Sequence, residues 1–121
     1  MIKSIKFTSI SVRDQDAALE FYTKKRGFIV LTDQPFSEQQ RWIEIGIPGA
    51  QTGLVLFNPD GHESRIGAFT GISFLCDDVL QTYEQLTARG VEFAAPPKSE
   101  SWGTSAVFKD VDGNQFVLSS R

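Results

Sequence analysis

The run Phe7-Thr8-Ser9-Ile10-Ser11 returns as Phe69-Thr70-Gly71-Ile72-Ser73, with four of the five residues identical. Each copy continues into apolar residues (Val12; Phe74, Leu75 and Cys76) and then into acids (Asp14 and Asp16; Asp77 and Asp78). A helical pattern follows in both places and ends at Gly27 or Gly90. One strand-helix-strand unit is therefore used twice, and each copy must bury one face of its small sheet under its own helix.

The first copy reads as β-α-β-β-β. Thr8, Ile10 and Val12 alternate with Phe7, Ser9 and Ser11, which predicts a strand with one apolar and one mixed face. Asp14 is a good N-cap, Asp16 adds negative charge to the first helical turn, and Lys24-Lys25-Arg26 precedes Gly27 as positive charge in the last turn. Ala18, Leu19 and Tyr22 form the apolar stripe, with Phe21 at its margin and a Glu20 to Lys24 pair alongside. Phe28 to Thr32 predicts a buried strand, Asp33 to Gln40 a polar loop with Phe36 exposed, and Arg41 to Ile47 a strand. In that strand Ile43, Ile45 and Ile47 share one face, Trp42 and Glu44 the other. Gly53 to Phe57 follows the turn at Pro48-Gly49-Ala50.

The polar stretch Asn58 to Ser64 connects this module to the next. The second module predicts a strand over Phe69 to Cys76 and a helix ending near Arg89 with Val79, Tyr83 and Leu86 inward. A short strand Val91 to Phe93, a loop reaching Trp102, and a hairpin of Thr104 to Lys109 with Gln115 to Ser119 complete it. The expectation is one domain over residues 1–121: module one 1–57, linker 58–67 and module two 68–121. Its class is α+β, with two tandem modules forming a curved mixed sheet around a cleft. Ser9, Ser11, Glu44, Ser73 and Gln115 would look into that cleft, and bulky Ile, Val and Phe would face the helices.

Composition narrows the function classes. A net charge of -3, with no basic run longer than the triplet before Gly27, excludes a nucleic-acid surface. The single cysteine, Cys76, excludes an intrachain disulfide, and no run of about 18 apolar residues offers a membrane span. Met1 to Lys6 lacks the apolar stretch of a signal peptide, so a cytoplasmic protein is expected. Ten phenylalanines in 121 residues fill core or line a small-molecule cavity.

The whole chain resembles the vicinal oxygen chelate superfamily, which includes glyoxalase I, the bleomycin-resistance proteins and extradiol-type dioxygenases. The resemblance rests on "RDQDAALEFYTKKRGF", "DDVLQTYEQLTARGVEF", "RWIEIGIPG" and above all "WGTSAVFKDVDGNQFVL", where Val111 replaces the usual proline of the closing turn. It implies the paired β-α-β-β-β fold and a homodimer, but not an activity, because the superfamily hosts lyases, dioxygenases, epimerases and drug binders.

Members that use a divalent metal hold it with about four ligands, commonly a His in the first strand of a module and a Glu in the last. Those positions fall here on Phe7, on Gly71 counted back from Asp78 (or Phe69 in the other register), and on Val117. Only Glu44 matches a ligand position, and one carboxylate is not a transition-metal site. No cofactor is expected.

Glu44 is the candidate general base or polar anchor, against a wetted carboxylate paired with Arg41 or another cation. Trp42 and Trp102 are candidates for stacking on a planar or cationic ligand, against core or interface packing. Phe7 and Phe57 are cavity-wall candidates, and Ser9, Ser73 and Gln115 supply polar contacts. His62, the lone histidine, reads as a surface residue, and Cys76 as inert packing. These residues predict a protein that binds a small organic ligand by sequestration. The alternatives are a glyoxalase-like lyase or isomerase, or a dioxygenase-related enzyme, using Glu44 as base or sole retained metal ligand. A degenerate member with a structural or partner-binding role is the third reading.

Overall fold

Strand β1 (Phe7–Ser11) stops where Asp14 turns the chain into a helix. The Asp14 carboxylate accepts hydrogen bonds from the backbone N–H groups of Asp16 and Ala17 at 2.9 and 3.2 Å, meeting donors that the first helical turn leaves without partners. Helix α1 (Gln15–Arg26) ends at Gly27, whose φ of 76° is a conformation that carries a steric cost in any residue with a Cβ. The computed structural model describes residues 1–35, 37, 40–58 and 63–120, the side chains of Lys25 and Arg26 excepted. The expectations for those two side chains, for Phe36 and for His62 therefore lie outside the described residues.

Strands β2 (Ile29–Pro35), β3 (Arg41–Gly46) and β4 (Gly53–Phe57) join β1 in the order β1-β4-β3-β2, with β1 and β4 parallel and the other neighbours antiparallel. The second half repeats this design. Strand β5 (Phe69–Leu75), helix α2 (Val79–Ala88), and strands β6 (Phe93–Glu100), β7 (Gly103–Lys109) and β8 (Gln115–Ser119) give the order β5-β8-β7-β6. The chain is α+β, two mixed four-stranded sheets with one helix each, and it divides into compact units at Met1–Ile66 and Gly67–Arg121.

The two cores differ in chemistry. In the first unit Ile10, Ile43, Ile45, Leu54 and Leu56 are at most 4% exposed, and the α1 residues Ala18 and Tyr22 are buried as well. In the second unit Phe74, Phe108 and Phe116 stack at centroid distances of 5.4–6.0 Å. Phe93 links Phe108 to Tyr83 of α2. Of the ten phenylalanines, Phe108 and Phe116 are thus buried core of the second unit, with half-buried Phe74 and Phe93 packed on them.

Three expectations are corrected. The stretch Phe28 to Thr32 is not a buried strand, because β2 is the edge of its sheet and leaves Ile29, Val30 and Leu31 about half exposed. Strand β2 also runs on to Pro35, into the predicted loop. Strand β6 is longer than Val91 to Phe93 and passes through Pro96 and Pro97, which an edge strand tolerates because one side of its backbone has no ladder partner.

The third correction concerns the repeat. Between Phe69 and Ser73 strand β5 advances four residues while β8 advances two, from Gln115 to Val117. The two extra residues form a bulge at Thr70-Gly71-Ile72, where Gly71 has φ 74° and the Thr70 hydroxyl donates to the Gln115 carbonyl. The repeat spacing is 62 before the bulge (Phe7 to Phe69) and 64 after it (Asp14 to Asp78). Matched through pairing, Phe69 rather than Gly71 is the counterpart of Phe7, since they face Gln115 and Gly53, the first residues of β8 and β4.

Candidate functional site

The sheet face of the first unit that points away from α1 follows from the strand pairing. Ser9 and Glu44 both pair with Val55, Thr32 pairs with Glu44, and Phe7 pairs with Gly53. The Phe7 and Trp42 rings meet edge to face at 5.5 Å. They stand on β1 and β3, with β4 between, so the contact has to pass over β4. Val55, in the middle of β4 and on this same face, is only 2% exposed. Ser9 is exposed, and Phe57, which pairs with Ser11, is partly buried.

Glu44 lies along this face rather than standing off it. A Cβ placed on Gly53 would come within 2.8 Å of Glu44 Oε2 and 3.3 Å of its Cγ, so the carboxylate occupies the space left by the missing side chain. Likewise, a Cβ on Gly46 would come within 2.9 Å of Leu31 Cδ1, so Leu31 lies over the backbone there. Among the described residues the Glu44 carboxylate makes no hydrogen bond and no ion pair. Arg41 is not its partner, because Arg41, Ile43 and Ile45 point to the opposite face. Arg41 Nη1 binds Asp16 Oδ1 at 2.6 Å and Nε binds Asp33 Oδ1 at 3.1 Å. Hydrogen bonding to Asp16 is the largest influence on the guanidinium; burial opposes it, and with the charges of Asp33 and Asp16 added the pKa is held above its ordinary value.

The strands carrying Trp42 and Phe57 are fixed from behind. Gln15 Nε2 donates to the carbonyls of Arg41 and Leu56 at 2.7 and 3.0 Å, and Gln15 Oε1 accepts from the Arg41 N–H at 3.1 Å. A polar pocket of about 370 Å³ opens beside this bridge, between Asp14, Gln40 and Asn58. Asp14, Gln15, Asp16 and Arg41 are engaged with the helix start, the strand backbone and each other.

Ser73, Trp102 and Gln115 belong to the second unit. Ser73 Oγ lies 2.9 Å from Ser119 Oγ, Gln115 pairs with Phe69 and Lys109, and Trp102 sits in the β6–β7 turn with 63% of its surface exposed. Matching β4 onto β8 makes Val107 the counterpart of Glu44, and Ser105 that of Trp42. The second sheet thus has neither the carboxylate nor the ring pair.

The residues do not fit the divalent ion that some relatives hold. Phe7 is engaged with Trp42, Gly71 is in a bulge, Val117 lies mid-strand, and Glu44 is the one carboxylate on its face. Among the described residues no group of three or more His, Cys, Asp or Glu side chains is placed to share a metal. The structure brings the candidates Phe7, Trp42 and Glu44 onto one sheet face, together with Gly53 and Val55, and backs the strands with Gln15; the sequence reading singled out none of these last three. A glycine opening a strand, directly across from an aromatic, was the available signal for Gly53.

The model of the Glyoxalase/Bleomycin resistance protein/Dioxygenase superfamily matches residues 4–118. The uncharacterised protein YetH of Bacillus subtilis (strain 168) is 38% identical over 118 residues, 98% of each chain. A crystal structure of a superfamily member from Sphaerobacter thermophilus DSM 20745 superposes with a TM-score of 0.90 at 36% identity, covering 99% of this chain and 98% of that one. TnmS3, an antibiotic binding protein from Streptomyces sp. CB03234, superposes with a TM-score of 0.86 at 36% identity over 98% and 96% of the two chains. No helix among the described residues is long and apolar enough to cross a membrane. With both strand-helix repeats and the closing hairpin inside the match, the chain belongs to the Glyoxalase/Bleomycin resistance protein/Dioxygenase superfamily.

Proposed function

We propose that the protein binds a planar aromatic small molecule on the Phe7–Trp42 face of its first unit and acts by holding it. The observation that carries this reading is the edge-to-face ring pair beside an unneutralised carboxylate, on the sheet face that the helix leaves uncovered. Aromatic rings present a large, stiff surface at low entropic cost, which suits stacking on a flat ligand. TnmS3, similar over nearly its whole length, is an antibiotic binding protein, and this supports a small-molecule ligand. Ser9 and Phe57 flank the pair and complete the proposed contact surface. Ser73, Trp102 and Gln115 are assigned no contact in this reading.

The test is a titration of acridone, a neutral planar probe, followed by calorimetry and by tryptophan quenching. The expected stoichiometry is one per chain, because the counterpart of Trp42 in the second unit is Ser105. Trp42→Ala weakens binding about tenfold, the equivalent of about 1.4 kcal/mol, and Trp102→Ala leaves it within about twofold. Equal binding by wild type and Trp42→Ala would discard the reading.

One observation favours a second reading. A carboxylate with no partner among the described residues is available as a proton acceptor, so Glu44 could act as a general base in a lyase or isomerase. Turnover of a bound ligand that disappears in Glu44→Gln, with binding kept, would establish this second reading.

The working form proposed here is a homodimer. It is supported by the half-exposed apolar edge at Ile29, Val30 and Leu31, a kind of surface that lone soluble chains usually blunt with charge. Sedimentation equilibrium is expected to give the dimer mass, and Val30→Lys to shift it toward the monomer. A wild-type monomer at micromolar concentration would refute the dimer.

A further inference from the structure

We infer that the Phe7–Trp42 face selects planar aromatic cations over neutral or anionic aromatics of the same shape, and that Gly53 sets this selectivity by making room for the Glu44 carboxylate. The inference rests on the reading of that face as a ligand surface and adds the charge of the ligand to it.

The strand pairing places Phe7, Ser9, Trp42, Glu44, Gly53 and Val55 on the face, and Glu44 is the one ionisable side chain among them. The nearest cation in sequence, Arg41, is held on the opposite side by Asp16 and Asp33. Among the described residues the negative charge of Glu44 therefore has no ion-pair partner. It is also partly withdrawn from water, which strengthens its attraction for a cation relative to a fully hydrated carboxylate.

Position matters as much as charge. Because Oε2 lies 2.8 Å from where a Cβ of residue 53 would stand, the carboxylate lies down against β4. Gly53 pairs directly with Phe7, so the carboxylate leans onto the β4 residue that neighbours Phe7. Ring faces attract cations through their quadrupole, and the carboxylate acts with the same sign. A ligand with a protonated nitrogen in or on its ring system would meet both attractions at once, whereas an anionic ligand would meet two repulsions. The backbone at Gly53 is not in the left-handed region, so alanine is conformationally admissible there and its methyl collides with the carboxylate, with the Ile45 carbonyl 3.2 Å away.

Three probes of one ring system separate charge from shape: 9-aminoacridine, a cation at neutral pH; neutral acridone; and anionic acridine-9-carboxylate. Wild type is expected to bind 9-aminoacridine about tenfold more tightly than acridone, and acridine-9-carboxylate most weakly. Glu44→Gln, which keeps the shape, reduces the cation preference to within about twofold, chiefly by weakening the binding of 9-aminoacridine. Gly53→Ala lowers the preference at least threefold while acridone still binds, and thermal unfolding checks that both variants are folded. If acridone binds but wild type shows no cation preference, or Glu44→Gln retains it, the inference is overturned and the binding reading stands. If none of the three probes binds, both fall.

Discussion

Phe116→Ala is expected to destabilise the protein by about 3–5 kcal/mol, the range for truncating a fully buried aromatic side chain. Phe116 is 0% exposed on β8, an inner strand of the second sheet, and its ring lies 5.4 Å from both Phe74 and Phe108. Phe108 is also its direct cross-strand partner, and the stack continues through Phe93 to Tyr83 on α2. Removing the ring therefore opens a cavity between β5, β7 and β8 and loosens the helix they support. Phe116→Leu retains most of the apolar volume and is expected to cost less than half as much. Urea unfolding followed by far-ultraviolet circular dichroism measures both. An alanine variant within about 1 kcal/mol of wild type would mean that the Phe74, Phe108 and Phe116 stack is not the core of that unit.

Much of the fold was legible because it depends on local signals that repeat. Asp14 and Asp78 cap their helices, Gly27 ends the first helix in the left-handed region, and the Ile43, Ile45 alternation makes β3 unambiguous. The edge strands were harder to read. Ile29, Val30 and Leu31 form an apolar run that predicts burial, but strand order decides whether such a run is central or marginal, and strand order is a long-range property. Pro96 and Pro97 lie in the stretch expected to be a loop but are part of β6, because proline interrupts an inner strand and is accepted at an edge.

The bulge shows the limit from the other side. The sequence contains two spacings, 62 and 64, and neither is wrong, because Thr70-Gly71-Ile72 adds two residues between the part of β5 that matches Phe7 and the part that leads to Asp78. Alternation also located the candidate site only in part. It places Trp42 and Glu44 on one face but says nothing about sideways reach. The meeting of Phe7 with Trp42 over β4 and the lean of Glu44 onto Gly53 both depend on which strands are neighbours. The pairing of Glu44 with Arg41 fails on the same alternation that makes Glu44 interesting, since adjacent residues such as Arg41 and Trp42 face opposite ways.

Asn114→Ala is expected to cost about 2–4 kcal/mol, because it leaves two hydrogen-bonding groups without the partner they use. Asn114 is 1% exposed in the turn that closes the β7–β8 hairpin. Its Nδ2 donates to Asp110 Oδ2 at 2.9 Å, and its Oδ1 accepts from the Gly67 N–H at 2.8 Å. Asp110, itself only 7% exposed, turns its other oxygen to the backbone N–H groups of Asp112 and Asn114. One amide thus satisfies a buried carboxylate and anchors the start of the second unit, where Gly67 (φ 83°) comes close enough for a Cβ to reach the Asp112 carbonyl at 3.3 Å. Asn114→Asp preserves the size and removes the donor, setting a second carboxylate against Asp110. It is expected to destabilise at least as much as alanine, although less volume is lost. Equilibrium urea unfolding of the two variants separates donor chemistry from packing. If the aspartate variant were as stable as wild type, the Asn114 Nδ2 to Asp110 bond would not be what holds this turn.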